Sequence, residues 1–283
     1  MPRAVDAVIE FLKAEQARGV SHVLLDEDAR QGLRDLYRAT AKGGKSPPAP
    51  AVPQAAPPPT VETPPVVLSV PGGGDKAARL AALREQAEHW QPARALGTLR
   101  GTMVFAAGNP DAKIMLVGEA PGYEEERQRE PFVGSAGQKL TRILQTMGLS
   151  RDEVYLSNIV KFRPATPRQA TNNRPPNPQE IAACLPFIHA EVAIVRPACI
   201  VALGATAAEG LLGLTAPVAS LRGTWYEHNG IPVRLTHHPS YLLRSELDLT
   251  PKRQLWEDML AVMERLEMPI TEKQRGFFLP KSQ

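Results

Sequence analysis

The chain has 283 residues, enough for one sizeable α/β domain with appendages or for two small domains, and this length excludes a mini-protein held together by cross-links. Its 33 Lys and Arg residues nearly balance its 30 Asp and Glu residues, so attraction to an anionic partner depends on where the charges lie rather than on the net charge of +3. The chain has only two cysteines, Cys184 and Cys199, and this number excludes a disulfide framework or a four-thiolate metal site. The lack of a long apolar run or apolar leader predicts a cytoplasmic protein without membrane contact.

The first 75 residues divide into a helical element and a linker. Within residues 1–41, apolar side chains recur at helical spacing and predict a short helical element. Residues 42–75 are rich in Pro and Ala and end in three consecutive glycines, a composition typical of an extended, solvated linker. We expect the helical element to dock on the main domain or on a protein partner, so residues 1–75 are a candidate partner-binding segment.

Residues 76–268 show short apolar strands that alternate with amphipathic helices. The predicted strands are Lys113–Gly118, Val154–Val160, Cys199–Leu203 and Ile231–Thr236. The predicted helices are Ala136–Met147, Pro178–Val195, Thr206–Leu212 and Lys252–Leu266. This alternation predicts an α/β fold of three layers, α/β/α, with a four-stranded, mostly parallel sheet, and it leaves residues 269–283 as a C-terminal tail.

Polar side chains follow three of the predicted strands, at the edge where ligands bind in parallel sheets. Glu119 lies in a Gly/Pro turn, where a carboxylate can polarise water or stabilise a cationic sugar. Asn158 offers a donor and an acceptor in one plane, as reading a pyrimidine edge requires. His238 precedes a proline and can donate to charge on a leaving group. Alone, each has a structural explanation as a turn acid, a backbone-bonded amide or a loop residue, but their convergence favours a functional site.

Two further segments are candidates for DNA contact. The loop from Lys161 to Gln179 contains four cations and no acid, a composition that fits phosphate contacts and a solvated surface equally well. After His238, the residues Tyr241, Leu242, Leu243 and Arg244 suit a wedge that enters a base stack with a cation beside it. The alternative for this second segment is the start of a helix whose leucines pack inward.

Together these segments resemble the family 4 uracil-DNA glycosylases over about residues 94–266. The matching pieces are GEAPG (118–122), PFVGSAG (131–137), SNIVKFRP (157–164), VALG (201–204) and HHPSYLLR (237–244). The resemblance implies a base excision repair enzyme that binds uracil-containing DNA and hydrolyses the N-glycosidic bond of uracil, and we expect the protein to be a monomer. The alternative is a non-catalytic DNA-binding or interaction protein that retains the fold, but binding alone would not need Glu119, Asn158 and His238 together.

The resemblance also implies a role for each matching residue. Phe132 would stack on the extruded uracil, with Gly118 and Asn158 completing the base-binding site. His238 would stabilise the uracil anion, and Glu119 would orient water or offset positive charge on the sugar. The candidate DNA contacts from the two segments above are Lys161, Arg163, Arg168, Arg174, Ser240, Leu242, Leu243 and Arg244, and the resemblance implies that Leu242 or Leu243 fills the gap in the base stack.

In one respect the sequence departs from this family, whose members typically hold a 4Fe-4S cluster through four cysteines. The positions that match those cysteines best are Gln91, Arg94, Phe162 and Cys184, so a single thiol remains. Cys199 lies in a predicted strand, as a buried apolar thiol would. Because thiolates supply the ligands of such clusters, we expect no iron-sulfur cluster and no other cofactor, with Phe162 and its neighbours packing in that space.

Overall fold

The computed structural model describes Leu68 and residues 72–244 and 248–279, and it describes the backbone but not the side chain of Arg244. The helical element predicted for residues 1–41 and nearly all of the linker predicted for residues 42–75 lie outside the described residues. All described residues belong to one compact unit, Thr63–Gln283.

The strands that position the candidate site lie side by side in one mixed sheet. In chain order the strands are β1 (Leu99–Met103), β2 (Ala107–Gly108), β3 (Ile114–Gly118), β4 (Tyr155–Asn158), β5 (Phe162–Pro164), β6 (Cys199–Leu203), β7 (Trp225–His228) and β8 (Ile231–Thr236). The order across the sheet is β2-β4-β3-β6-β8-β7, and its four inner strands are parallel. Strands β1 and β5 form a separate antiparallel pair.

The prediction of a mostly parallel sheet is confirmed, but the described sheet has six strands rather than four. The four predicted strands are the inner ones, where burial on both faces produces continuous apolar runs. The strands that the sequence analysis missed are antiparallel edges: β2 has two residues, and β7 is partly exposed. Neither carries the long apolar run on which the prediction depended.

Helices cover both faces of the sheet and give the three predicted layers. They are α1 (Lys76–Glu88), α2 (Gln91–Arg94), α3 (Tyr123–Gln128), α4 (Ser135–Met147), α5 (Pro178–Val195), α6 (Ala205–Leu212), α7 (Val218–Leu221), α8 (Pro239–Arg244), α9 (Thr250–Arg265) and α10 (Glu272–Arg275). Helices α1, α5 and α6 pack in one apolar cluster, and α4 and α9 pack in the other. Among the described helices, none is long and apolar enough to cross a membrane.

Strand β3 separates the two apolar clusters because its side chains alternate between the faces of the sheet. Met115 and Val117 belong to the cluster beneath α1, α5 and α6. Ile114 and Leu116 belong to the cluster beneath α4 and α9. All four side chains are buried, so β3 is fixed from both sides and its carboxyl end is a rigid base for the loop that follows.

The longest described helix, α5, begins at the residue that the sequence predicts. The Asn177 side chain accepts a hydrogen bond from the backbone N–H of Glu180 at 2.9 Å, and the Glu180 carboxylate accepts one from the N–H of Asn177 at 2.8 Å. Pro178 occupies the first turn, where its missing N–H costs nothing. This reciprocal cap fixes the end of the loop that precedes α5. That loop forms one wall of the candidate site.

The segment predicted to be a C-terminal tail packs against α9 as far as it is described. It contains the short helix α10, and Trp256 Nε1–H donates to the carbonyl oxygen of Gln274 at 2.6 Å. The Phe277 ring lies edge-on to Trp256, with the ring centroids 5.6 Å apart. Burial of these rings extends the domain to about residue 277.

Candidate active site

A cleft of about 850 Å³ lies at the carboxyl ends of the parallel strands. Glu119, Asn158 and His238, which lie at or just after the carboxyl ends of three different strands, all line it. Phe132, from the loop before α4, lines the same cleft. The structure therefore brings together the acid, the amide, the imidazole and the aromatic ring that the sequence analysis selected.

Gly118 allows two of these side chains to approach each other. It is the last residue of β3 and pairs in register with Asn158 at the end of β4. A Cβ atom at position 118 would lie 2.5 Å from Asn158 Oδ1 and 2.5 Å from Phe132 Cζ, both well inside van der Waals contact. A side chain of any size would displace the amide or the ring, so glycine is required here for the shape of the cleft.

The backbone of Phe132 is in the left-handed region, with φ at +57°, which is unusual for a bulky residue. Arg151 stabilises this conformation by donating from Nη1 to the Phe132 carbonyl oxygen and from Nη2 to the Pro131 carbonyl oxygen, both at 2.8 Å. Gly137 admits the close backbone approach, since a Cβ there would lie 1.8 Å from the Phe132 carbonyl oxygen. The ring is 5% exposed and therefore has a fixed position in the cleft wall.

Glu125 joins the loop after β3 to the loop that carries Phe132. Its Oε2 accepts from the backbone N–H of Gly122 at 3.1 Å. Its Oε1 accepts from the N–H groups of Val133 at 3.1 Å and Gly134 at 2.8 Å. One carboxylate thus satisfies three backbone donors from two loops and fixes the distance between them.

Asn158 is held from behind by a buried ion pair. Lys161 and Glu191 form this pair with both side chains fully buried. Lys161 Nζ also donates to the backbone carbonyl oxygen of Asn158 at 2.9 Å and to Ser157 Oγ at 2.6 Å, and Ser157 Oγ in turn donates to Glu191 at 2.6 Å. Burial, followed by the nearby Glu191 carboxylate, raises the pKa of Tyr155 well above its usual value and keeps its hydroxyl a neutral donor to Glu191.

His238 has a defined tautomer in its neutral form. The backbone N–H of Ser240 donates to His238 Nδ1 at 3.2 Å, and the Ser240 hydroxyl lies 2.8 Å from the same nitrogen. Because Nδ1 accepts a backbone hydrogen, the neutral imidazole carries its own proton on Nε2. Gly204 packs against this residue, where a Cβ would lie 3.0 Å from His238 Cβ and where φ is +91°. The local structure therefore makes Nε2 a hydrogen-bond donor without requiring an imidazolium.

A hydroxyl group on α6 orients the Glu119 carboxylate. Thr206 Oγ1, in the first turn of α6, donates to Glu119 Oε2 at 3.0 Å. The side chain is half-buried and lines the cleft. A carboxylate in this position can accept a proton from water or stabilise positive charge that develops nearby.

The structure corrects the prediction that the basic loop after β4 contacts phosphate through all four cations. Lys161 is buried in its pair with Glu191. Arg163 is 2% exposed, pairs with Glu126 at 2.9 Å and donates to Asn173. Arg174 makes two hydrogen bonds to the Glu180 carboxylate, at 2.8 and 2.6 Å. The buried Lys161 and Arg163 hold the loop together internally, whereas Arg174 is partly exposed at the cleft and Arg168 is exposed, so both stay candidate phosphate contacts.

The segment after His238 also differs from the prediction. Leu242 is 4% exposed and packs in the apolar cluster beneath α4 and α9, so the expectation that it fills a gap in DNA is wrong for this conformation. Leu243 is half-buried and lines the cleft, as does Ser240. The side chain of Arg244 lies outside the described residues, so its predicted DNA contact is untested.

Sequence reasoning missed the residues that hold the site in shape. Glu125 and Arg151 bind backbone atoms, and Thr206 orients Glu119 from a helix 87 residues away. The only sequence signal for Glu125 was its place in the first turn of a helix without a capping side chain, where a carboxylate commonly reaches back to backbone N–H groups. Arg151 and Thr206 carried no local signal.

The residues at the positions of the family's cluster cysteines do not fit an iron-sulfur cluster. The Arg94 guanidinium lies over the Phe162 ring, 5.7 Å from its centroid, and donates to the Glu88 carbonyl oxygen at 2.6 and 2.9 Å. Burial raises the pKa of the Cys184 thiol to about 11, so it stays protonated at neutral pH. Cys199 belongs to the other apolar cluster, on the opposite face of the sheet. With a glutamine, an arginine and a phenylalanine at the other three positions, the single protonated thiol of Cys184 does not supply the four thiolates that a cluster needs.

Comparison with known proteins gives a family match over most of the described domain. The family model described as the uracil DNA glycosylase superfamily matches residues 105–260. A type-4 uracil-DNA glycosylase from Thermotoga maritima is 44% identical over 150 residues, which cover 52% of this chain and 74% of that protein. Type-4 uracil-DNA glycosylases from Pyrobaculum aerophilum and Saccharolobus solfataricus are 38% and 36% identical, over 51% and 62% of this chain and 75% and 82% of those proteins.

Proposed function

The chain belongs to the uracil DNA glycosylase superfamily, and we propose that it excises uracil from DNA by hydrolysing the bond between the base nitrogen and the sugar. The observation that carries this proposal is the shared cleft of Phe132, Asn158, His238 and Glu119 at the ends of the parallel strands. Each of these side chains supplies a different part of the chemistry. The products are free uracil and an abasic sugar.

Base recognition is assigned to Phe132 and Asn158. Extrusion of a nucleotide from DNA costs a few kcal/mol, and stacking of a base on an aromatic ring is worth about 1 to 3 kcal/mol, so Phe132 offsets much of the cost. The Asn158 amide has a donor and an acceptor, which match the carbonyl oxygen and the N–H on the edge of uracil. Because Lys161 holds the Asn158 backbone, the amide meets the base in a fixed orientation.

Bond cleavage is assigned to His238. As the glycosidic bond breaks, its electron pair moves to the base and leaves positive charge on the sugar. Negative charge then spreads to the carbonyl oxygens of uracil, and the Nε2–H of His238 donates a hydrogen bond to one of them. This donor acts mainly on charge that is present only late in the reaction, and removal of such a donor typically lowers the rate on the order of 100-fold or more.

Glu119 is assigned to the sugar side of the broken bond. Its carboxylate stabilises the developing positive charge and accepts a hydrogen bond from the attacking water, so that the water oxygen bonds to the sugar carbon while its proton passes to the carboxylate. The proton then neutralises the uracil anion through solvent. Thr206 keeps the carboxylate oriented towards the cleft.

The misfit at the family's cluster positions supports a protein that works without an iron-sulfur cluster. In this proposal the Arg94–Phe162 contact and the buried Cys184 thiol occupy the space, and no step of excision requires iron. The test is an iron determination on protein purified without oxygen and then treated with iron and sulfide, beside a relative that carries four cysteines. We expect iron to bind the relative only, and stoichiometric iron on this chain would overturn the proposal.

The excision test uses a labelled oligonucleotide with a single deoxyuridine, incubated with the full chain and then heated in alkali. Strand cleavage at that position, absent when cytosine replaces uracil, supports the proposal. A gel shift without cleavage would favour the alternative of a DNA-binding protein that retains the fold. If a chain that lacks residues 1–75 still excises uracil at the full rate, that segment serves a partner rather than catalysis. The expected monomeric state and cytoplasmic location stay predictions.

A further inference from the structure

Tyr123 is an exposed aromatic residue of the cleft, and the proposed reaction gives it no role. It is the first residue of α3, it lines the cleft, and it is 37% exposed. The backbone N–H of its neighbour Gly122 donates to Glu125 at 3.1 Å. The same carboxylate binds the loop that carries Phe132. Tyr123 is therefore connected by hydrogen bonds to the loop with the proposed uracil-stacking ring.

A buried cation supports the Tyr123 ring. The Arg163 guanidinium lies 5.3 Å from the ring centroid. Arg163 is 2% exposed, and hydrogen bonds to Glu126, Asn173 and two backbone carbonyl groups of its own loop fix its position. A ring that rests on a fixed cation has a restricted position in the free protein, so it loses little conformational freedom when a flat ligand covers its exposed surface.

The acidic residues around this tyrosine are paired with cations. Glu124 forms an ion pair with Arg127, with 2.8 Å between oxygen and nitrogen. The Glu126 carboxylate lies 2.9 Å from the Arg163 guanidinium and 3.2 Å from that of Arg100. Because these charges are compensated, the surface around the ring does not strongly repel a nucleic acid. The exposed ring is the group that gives this surface affinity for a base.

The cleft has more space than one base needs. Its volume of about 850 Å³ lies within the range of about 300 to 1,000 Å³ that sites for drug-sized ligands occupy, whereas uracil is a single six-membered ring. Phe132, which is 5% exposed, is the proposed platform for that ring. Tyr123 is a second, more exposed ring in the same cleft. A strand that delivers uracil to Phe132 brings its neighbouring nucleotides to the cleft as well.

We propose that Tyr123 is a stacking platform for the base next to the uracil on the same DNA strand. This inference rests on the proposed uracil excision and names a second base-binding position in that cleft. Every base has a π-face, so such a platform adds affinity for DNA of any sequence around the uracil. A tyrosine suits the position because its ring stacks on the base while its hydroxyl stays in water.

A stacking role and a positioning role have different consequences. If Tyr123 contacts the neighbouring base, removal of the ring and removal of that base abolish the same interaction, so the two losses do not add. If Tyr123 only positions the loop that carries Phe132, its loss has the same effect whether or not the neighbouring base is present. A thermodynamic cycle over the two changes therefore separates the two roles.

The experiment measures the Kd of the full chain for a labelled single-stranded oligonucleotide that carries deoxypseudouridine, whose base is joined to the sugar by a carbon–carbon bond and is not hydrolysed. In two further oligonucleotides, an abasic analogue replaces the nucleotide on one side or the other. We expect Tyr123→Ala to raise Kd on the order of tenfold, and the loss of one neighbouring base to do the same in the unmodified chain. The two changes together should raise Kd no more than either change alone.

Two control variants accompany this cycle. Tyr123→Phe keeps the ring and should retain the Kd of the unmodified chain. Phe278 is 42% exposed and does not line the cleft, so Phe278→Ala removes a ring of similar exposure elsewhere and should leave Kd unchanged. Release of free uracil from the matching deoxyuridine oligonucleotide is measured beside them and tests the proposed excision separately.

Two results would overturn the inference. Losses that multiply for both neighbouring positions would mean that Tyr123 contacts neither adjacent base. A rise of Kd in Tyr123→Phe as large as in Tyr123→Ala would mean that the hydroxyl, not the ring, is required. A chain that shows the expected cycle but releases no uracil would contradict the proposed excision and still support the stacking role of Tyr123.

Discussion

The imidazole of His238 and the phenyl ring of Phe132 face each other with centroids 6.2 Å apart and planes 30° from parallel. A base held between two stacked rings needs about 7 Å, twice the van der Waals separation of about 3.5 Å. The observed spacing is smaller, so a base that stacks on Phe132 meets His238 at its edge rather than at its face. At an edge, the Nε2–H of the imidazole can donate to a carbonyl oxygen, as the proposed reaction requires.

Gly118→Ala should impair excision without unfolding the protein. The added methyl group would lie 2.5 Å from both Asn158 Oδ1 and Phe132 Cζ, so the amide or the ring must move. A displacement of about 1 Å at a reacting group can cost on the order of 100-fold in rate. Gly101→Ala is the matched control, since no atom lies within 4 Å of a Cβ there. Equal single-turnover rates for the two variants would show that the close approach at Gly118 does not matter.

Glu125→Ala should lower both the stability of the cleft and the rate of excision. The carboxylate accepts three backbone hydrogen bonds, and a hydrogen bond to a charged group typically contributes about 1.5 to 3 kcal/mol. Glu125→Gln keeps one acceptor oxygen and should recover part of the loss in kcat. Glu85, which is exposed on α1 and does not line the cleft, provides the control Glu85→Gln. A Glu125→Ala variant with unchanged kcat, KM and urea midpoint would contradict the role of Glu125.

Lys161→Met should destabilise the fold strongly, because it leaves the Glu191 carboxylate buried without its partner. Removal of one member of a buried ion pair typically costs about 3 to 5 kcal/mol of unfolding free energy, whereas replacement of both members by apolar residues is often close to neutral. Urea unfolding of Lys161→Met and of Lys161→Met/Glu191→Met measures the difference. The double variant should be the more stable of the two.

Urea unfolding, combined with the salt dependence of DNA binding, distinguishes the buried role of Lys161 from that of a phosphate contact. Arg168→Ala, at an exposed position of the basic loop, should leave the urea midpoint unchanged and reduce the salt dependence of DNA binding by about one unit of slope. If Lys161→Met kept full stability and instead weakened DNA binding in a salt-dependent manner, this result would contradict the buried ion pair between Lys161 and Glu191.

Arg94→Ala should lower the free energy of unfolding, because it removes the contact between Arg94 and Phe162 at two of the family's cluster positions. The guanidinium packs on Phe162 and donates to the carbonyl oxygens of Glu88 and Gly101, but the residue is exposed, so we expect a loss of only about 0.5 to 1 kcal/mol in unfolding free energy. Arg94→Lys keeps the charge but loses the planar fork and should recover little. The exposed Arg84 gives the control Arg84→Ala, which should change the urea midpoint by much less. Equal midpoints for the two alanine variants would mean that the Arg94 contacts add nothing.

The sequence predicted the inner sheet and the strand-end side chains well, because these depend on local patterns. The bounds of Cys199–Leu203 and Pro178–Val195 follow from a continuous apolar run and a helix cap, and both match the structure. The role of Lys161 could not be predicted, since its partner Glu191 lies 30 positions further along the chain and only the folded sheet brings them together. Leu242 was misjudged for a related reason: which of three adjacent side chains faces the core depends on how α8 packs against α4 and α9.

The most direct test of the central claim is the single-turnover release of free uracil from a deoxyuridine oligonucleotide, measured together with DNA affinity for the unmodified chain and for His238→Ala. The account predicts that the unmodified chain releases uracil and that His238→Ala does so on the order of 100-fold more slowly while it binds the same DNA with nearly unchanged affinity. Folded, unmodified protein that binds this DNA and releases no uracil would contradict it.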